Sequence, residues 1–198
     1  MESQRRSSSV RFATCALVPD MRTVTFKNVY VQARSAVVGP LEKEGPLGSL
    51  FDKSYEDAYC GESSFEKAER VLLGDAVDLT LRKAGKGVQD IDLLVGGDLI
   101  NQLTSSHYFA KDLEVPFLGM YGACSPSSLV IGTGAVWVEH GLARQVLAFT
   151  SSHVATAERQ FRFPNEYGIQ KKETTTSTVT GAGAALLSNE KSNICLLY

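Results

Sequence analysis

Residues 116–141, PFLGMYGACSPSSLVIGTGAVWVEHG, constrain this chain more than any other stretch. Residues 116–121 are apolar and short, as suits a strand covered on both faces. Gly122 permits a sharp turn, and Pro126 suits the first turn of a helix, where its missing donor costs nothing. Ser125 and Ser127 are good partners for unpaired helix N–H groups. The pattern predicts a strand, a tight turn carrying Cys124, and a helix of about four turns. From 129 to 138 that helix has no charge, and its apolar residues go right round it. Such a helix is expected between two layers, not on a surface. Gly132 and Gly134 each cost about 1 kcal/mol against alanine inside a helix, so close packing against them is expected.

A cysteine in an apolar run is ordinarily inert core. Cys124 differs in its position, where a strand gives way to a helix whose unpaired amides and dipole favour a thiolate. It is the candidate nucleophile.

Charge and cysteine usage exclude several classes. A formal charge of −2 over 198 residues gives no general attraction to nucleic acid, and no nucleic-acid partner is expected. No apolar run approaches the roughly 18 residues of a membrane span, and the start of the chain has no secretory core. Residues 1–22 read as a disordered lead-in, with Met21 as an alternative start, and 23–198 as the folded part. Cys15, Cys60, Cys124 and Cys195 are scattered without zinc or CxxC spacing, so reduced thiols are expected. His107, His140 and His153 form no ligand pair, and no metal is expected.

Along the chain, 23–31 alternates as a strand, and 34–57 reads as a loop pinned by Leu47, Leu50 and Phe51. Residues 63–84 form the clearest helix, with a Ser63/Glu66 capping box, Glu66–Arg70 and Asp78–Arg82 pairs on the wet side, and Gly85 ending it. Residues 91–95 and 145–149 read as buried strands, 104–113 as a short helix, and 181–187 as a small-residue strand; 194–197 begin another. The order argues an α/β fold with a mixed, mostly parallel sheet. Three strands end in polar residues, at Asp98 with Asn101, Cys124 with Ser125, and Ser152 with His153. Ligand crevices in open α/β sheets lie at such ends. Residues 157–172 read as a loop in which Arg159 and Arg162 alternate with aromatics, a setting for a carboxylate on a flat ring. Equally, such residues serve as structural ion pairs and loop anchors. Asp98, Asn101, Arg159 and Arg162 are the ligand-binding candidates.

The segments EKEGPLGSLFDKSY, GGDLINQ, GACSPSS, SSHVATAERQFRFPNEYG and TTTSTVTGAGAALLS together resemble the stage V sporulation protein AD family of spore-forming bacteria, over roughly residues 26–188. That family is similar to thiolases and ketoacyl synthases, whose bodies have two repeated α/β halves, each with a five-stranded mixed sheet. The resemblance implies that this chain is the first half of a thiolase-like fold, with the helix after Cys124 sandwiched between sheets. It implies binding of dipicolinic acid for uptake into the developing spore. It further implies other stage V sporulation proteins as partners and a peripheral place on the cytoplasmic face of the spore inner membrane; a homodimer is expected because the helix face meant for the absent half would otherwise be left bare. No cofactor is expected. The alternatives are an acyltransferase of the condensing class, which would use a coenzyme A thioester with Cys124 as acyl carrier, and a non-catalytic assembly subunit or truncated copy. A second half, which supplies the base and oxyanion partners in acyl-transferring relatives, is missing from the sequence. A cysteine without a positioned base is a poor acyl carrier, and under that reading His153 is the local candidate for the base.

Overall fold

The computed structural model describes residues 24–161 and 177–196. Its elements are β1 (Tyr30–Val38), α1 (Pro40–Glu44), β2 (Lys53–Ser54), α2 (Phe65–Ala84), β3 (Leu93–Asp98), α3 (Thr104–Lys111), β4 (Phe117–Gly119), α4 (Pro126–Glu139), β5 (Gln145–Ser152), α5 (Val154–Phe161) and β6 (Gly181–Ser188). The six strands form one sheet in the order β2-β1-β6-β5-β3-β4. β6 runs antiparallel to both neighbours, while the β1–β2, β3–β5 and β3–β4 pairs are parallel. The expected five strands are thus joined by a sixth, the two-residue β2 at one edge.

Helices cover the sheet from both sides. On one side, Leu72, Leu73, Ala76 and Val77 of α2 pack with Leu94, Leu147, Phe149 and Leu186. On the other, Val130, Ala135 and Val138 of α4 pack with Val95, Val146 and Leu187. All six residues of β3 are buried, as a strand with helices on both faces requires. Gly96 sits opposite Phe149 in the register, and a Cβ there would lie 2.1 Å from the Phe149 ring. The missing side chain makes room for that ring, which stacks on Phe117 and meets Phe109 edge-on.

The first strand lies further along than its alternation predicts. It occupies 30–38, so residues 34–38 are sheet and not loop. Ser35 is buried in it, its hydroxyl bonded to the Ala76 carbonyl and to Thr80 Oγ1. Pairing with β6 overrides a local pattern interrupted by Arg34 and Ser35. The segment after it is held by polar contacts. Lys53–Asp75 and Lys83–Asp52 pairs tie it to α2, whereas Leu47 and Leu50 are exposed.

At the start of α2 the cap is Ser64, which accepts from Lys67 N, and not Ser63. Gly85 ends the helix in a left-handed conformation, as expected. The Glu66–Arg70 pair is replaced by longer-range ones, Glu66 with Arg159 and Arg70 with Asp112, while Arg82 stays within the helix and bonds the Asp78 carbonyl in place of its side chain. Residues 157–161 belong to α5 and not to a loop. Near the chain end, Cys195 bridges to Tyr30, and Leu196 packs against the α4 layer.

Candidate functional site

The turn before α4 is built as a tight corner. Ala123 has φ +48°, a conformation costly for a residue with a Cβ. Cys124 follows it and is exposed. Ser125 is the N-cap but does not cap with its side chain; its hydroxyl donates to the Gly122 carbonyl at 2.8 Å, closing the turn instead. Pro126 stands at the start of the helix, as expected. The first-turn amides of α4 therefore receive no side-chain cap.

Cys124 opens onto a cleft of about 880 Å³. Its floor is sheet: Ala36 and Val38 of β1, residues 150–152 of β5, and 181–183 of β6. Phe51, Leu99 and Phe161 are apolar walls, and the start of α4 and residues 177–179 complete the rim. This is the carboxyl end of β1, β3 and β5, the crevice position of open α/β sheets. Apart from Cys124, no acidic, basic or imidazole side chain lines the cleft among the described residues.

His153 is not placed to serve Cys124. It is fully buried, with Nδ1 accepting from Ala155 N at 3.1 Å and Nε2 2.8 Å from the Ala58 carbonyl. The first contact fixes the proton on Nε2, which donates to Ala58. Burial lowers the imidazole pKa, and the neutral ring rests against Phe65. Both nitrogens are committed to local backbone, and His153 does not line the cleft.

The ligand-binding candidates are also placed elsewhere. Asp98 is fully buried and accepts from Ser105 N at 2.8 Å, Ser106 N at 3.0 Å and the Ser106 hydroxyl. It anchors the first turn of α3. Desolvation raises its pKa, opposed by those donors. Asn101 is exposed and accepts from Gln160 Nε2 at 3.1 Å. Arg159 pairs with Glu66 at 2.7 Å and lies over the Phe65 ring. α5 directs it toward α2 and away from the cleft. Asp98, Asn101 and Arg159 therefore do not line the cleft, and Arg162 lies outside the described residues. Among the described residues no group of three or more His, Cys, Asp or Glu side chains is placed to hold a metal. No helix is long and apolar enough to cross a membrane among the described residues.

Sequence reasoning missed a buried acid. Glu69 is 1% exposed and accepts from Ser151 Oγ at 2.9 Å and Thr156 Oγ1 at 3.1 Å. Burial first, then the charge on Asp98, pushes its pKa up to about 7. The signal was present: Glu69 stands three and four residues before Leu72 and Leu73, on the face α2 buries. Ser105 Oγ is buried in the same cluster without a partner of hydrogen-bond geometry.

Among solved structures, the chain is similar to 3-oxoacyl-[acyl-carrier-protein] synthase III from Aquifex aeolicus VF5, with TM-score 0.56 and 14% identity, covering 83% of this chain and 54% of that one. It is similar to a Xanthomonas campestris OleA variant, with TM-score 0.55 and 14% identity over 84% and 57% of the two chains. The priming β-ketosynthase of the R1128 polyketide pathway matches with TM-score 0.53 and 18% identity, over 86% and 52%. These likenesses show a thiolase-like fold. In sequence, the chain is 50% identical over 166 residues to Stage V sporulation protein AD of Bacillus subtilis (strain 168), which is 84% of this chain and 49% of that protein. The chain thus spans about half the length of the relative it matches. The family model for Stage V sporulation protein AD matches residues 20–198, and the chain belongs to that family.

Proposed function

We propose that this chain takes part in sporulation as a ligand-binding protein, holding dipicolinic acid (pyridine-2,6-dicarboxylate) in the cleft beside Cys124. The observation that carries the reading is the cleft's chemistry. Aromatic and aliphatic walls suit the flat ring, and hydroxyls of Ser127, Thr150 and Thr178 suit carboxylate oxygens. The uncapped amides at the start of α4 offer one carboxylate a helix N-terminus. Arg162 follows Phe161 of the cleft wall directly and is the proposed charge partner; Arg159 acts only by holding α5 to α2. The setting proposed is the cytoplasmic face of the spore inner membrane, alongside other stage V sporulation proteins and as a homodimer.

The condensing-enzyme reading is favoured by one observation, the exposed thiol of Cys124 in the cleft. Against it, the cleft has no base among the described residues, and His153 is committed elsewhere. An acyl transfer from this thiol would be slow.

Titration calorimetry with dipicolinate tests the proposal. Saturable binding is expected, unchanged in Cys124→Ser and lost in Gly183→Leu. A Cβ at Gly183 meets only the Ser35 carbonyl, at 3.7 Å, so the larger side chain fills the cleft without breaking the sheet. Arg162→Ala is expected to weaken binding about ten-fold, since a charge-assisted bond contributes ~1.5–3 kcal/mol. Equal binding by parent and Gly183→Leu would remove dipicolinate from this cleft. A covalent adduct on Cys124 after incubation with an acyl-coenzyme A, absent in Cys124→Ser, would favour the acyltransferase instead. Neither binding nor adduct would leave an assembly role.

A further inference from the structure

The cleft wall is joined to α2 through a buried carboxyl group that the ligand site itself does not use. Glu69 projects from α2 between Ser151, at the cleft end of β5, and Thr156, in the first turn of α5. Among the described residues, no lysine or arginine is paired with it. From β3 and α3 it faces Asp98, whose charged form His107 favours electrostatically. From the start of α5 it faces the neutral His153 region. The charged groups nearest along α2 and α5, Glu66 and Arg159, are spent on each other at the outer edge, and Arg70 is paired with Asp112.

The hydrogens decide which form Glu69 takes. Thr156 Oγ1 lies 3.1 Å from Glu69 Oε2 and 3.0 Å from the His153 carbonyl, and it has one hydrogen to give. If Glu69 is ionised, one of these two acceptor contacts has no proton in it. If Glu69 is protonated, it donates to Thr156 Oγ1, Thr156 donates to His153, and Ser151 donates to the other carboxyl oxygen. These contacts are then filled, while Ser105 Oγ, buried in the same cluster without a partner of hydrogen-bond geometry, works in the opposite direction by favouring the charged form. Asp98 contrasts with it: three donors point at that carboxylate and favour its charged form against the desolvation that raises its pKa. Two adjacent buried carboxylates do not both ionise readily.

We propose that Glu69 is a proton-dependent latch, holding a proton while α5 is docked and releasing α5 and the Phe161 wall of the cleft when that proton is lost to solvent. Burial places the exchange near neutral pH, within reach of a modest change in conditions. The element that yields is α5, eight residues long, whose polar ties to the body include Thr156–Glu69, Val154 N to Thr180 Oγ1, Gln160–Asn101 and Arg159–Glu66, with Ala157 buried beneath it. The consequence for ligand affinity, tighter at lower pH, rests on the cleft reading above; the release of α5 does not.

The experiment is hydrogen exchange by mass spectrometry on α5 peptides from pH 5.5 to 8.5, corrected for intrinsic exchange, in parent and Glu69→Gln. The amide of Gln donates to Thr156 and accepts from Ser151 at every pH. Parent protection is expected to fall ten-fold or more across this range, and the Gln variant is expected to stay flat. Carboxyl-carbon NMR of the parent gives a second readout, independent of whether the variant folds, with Glu69 expected to titrate above pH 6. Titration below pH 5.5, or matching protection profiles in the two proteins, would overturn the latch. Dipicolinate isotherms on the same samples separate the two readings. Flat protection with normal binding sinks the latch alone, and pH-dependent protection without binding supports the latch while removing the ligand.

Discussion

The two helices that flank the sheet are both rich in apolar residues, yet they are buried to different extents. α2 places Leu72, Leu73, Ala76 and Val77 inside and turns Glu66, Arg70 and Asp78 outward, so its wet side is polar. α4 buries Val130, Gly134, Ala135 and Val138, but its far side carries Leu129, Gly132 and Val136, with Val136 37% exposed. The two glycines of α4 record the same division. A Cβ at Gly134 would lie 3.0 Å from Val146 and 3.1 Å from Leu187, whereas one at Gly132 would meet nothing within 4 Å. An all-round apolar helix thus reports two interfaces, and among the described residues only the one against the sheet is filled. The cleft beside Cys124 opens at the N-terminal end of this same helix, so the candidate site borders the uncovered side.

The largest expected contrast is between equivalent truncations on the two helices. Leu72→Ala, at a site with no exposure, should cost about 2–5 kcal/mol, while Val136→Ala should cost under ~0.5 kcal/mol. Denaturant midpoints measure both. Equal costs would mean that the outer side of α4 is covered after all.

The second contrast is with Glu69, an acid buried inside the α2 layer. Glu69 holds its proton up to about pH 7 when folded but only to about 4.5 when unfolded. Stability from this group is therefore complete below pH 4.5 and is lost as pH rises through 7. Glu69→Gln should gain about 3 kcal/mol relative to the parent between pH 4.5 and 8. His153 works the other way, being destabilising as pH falls below 6.5, but it is present in both proteins and cancels from the difference. A pH-independent difference in unfolding free energy between the two proteins would show that Glu69 is ionised throughout.

The smallest contrast lies within α4. Gly134→Val should destabilise by about 1–3 kcal/mol through overpacking, and Gly132→Ala should stabilise by about 1 kcal/mol through helix propensity. Thermal unfolding of the pair resolves the signs. A loss of stability in Gly132→Ala would reveal a neighbour on that side.

What the sequence disclosed followed from period and punctuation. The α2 face, the stop at Gly85, the buried β3 and the turn before Pro126 all declare themselves through local residues. The first strand was misplaced because Arg34 and Ser35 break its pattern; its partner, β6, lies 143 positions on from Val38 to Gly181, beyond any local signal. The site was legible only in part. Cys124 announced itself by standing at a corner, but the cleft floor is made of Ala36, Ala182 and Gly183, residues with no chemistry to notice. His153, Asp98 and Arg159 looked functional because they are polar at strand ends or beside aromatics. Burial and partners two to 95 residues away decided their roles instead.

Size-exclusion chromatography with light scattering, together with binding of a dye that reports exposed apolar surface, tests the unfilled side of α4 most directly. The chain is expected to run above monomer mass and to bind dye. A Val136→Glu change should shift it toward monomer and reduce dye binding without lowering its unfolding free energy. A compact monomer that unfolds cooperatively and binds no dye would contradict the account, because the outer side of α4 would then need no partner.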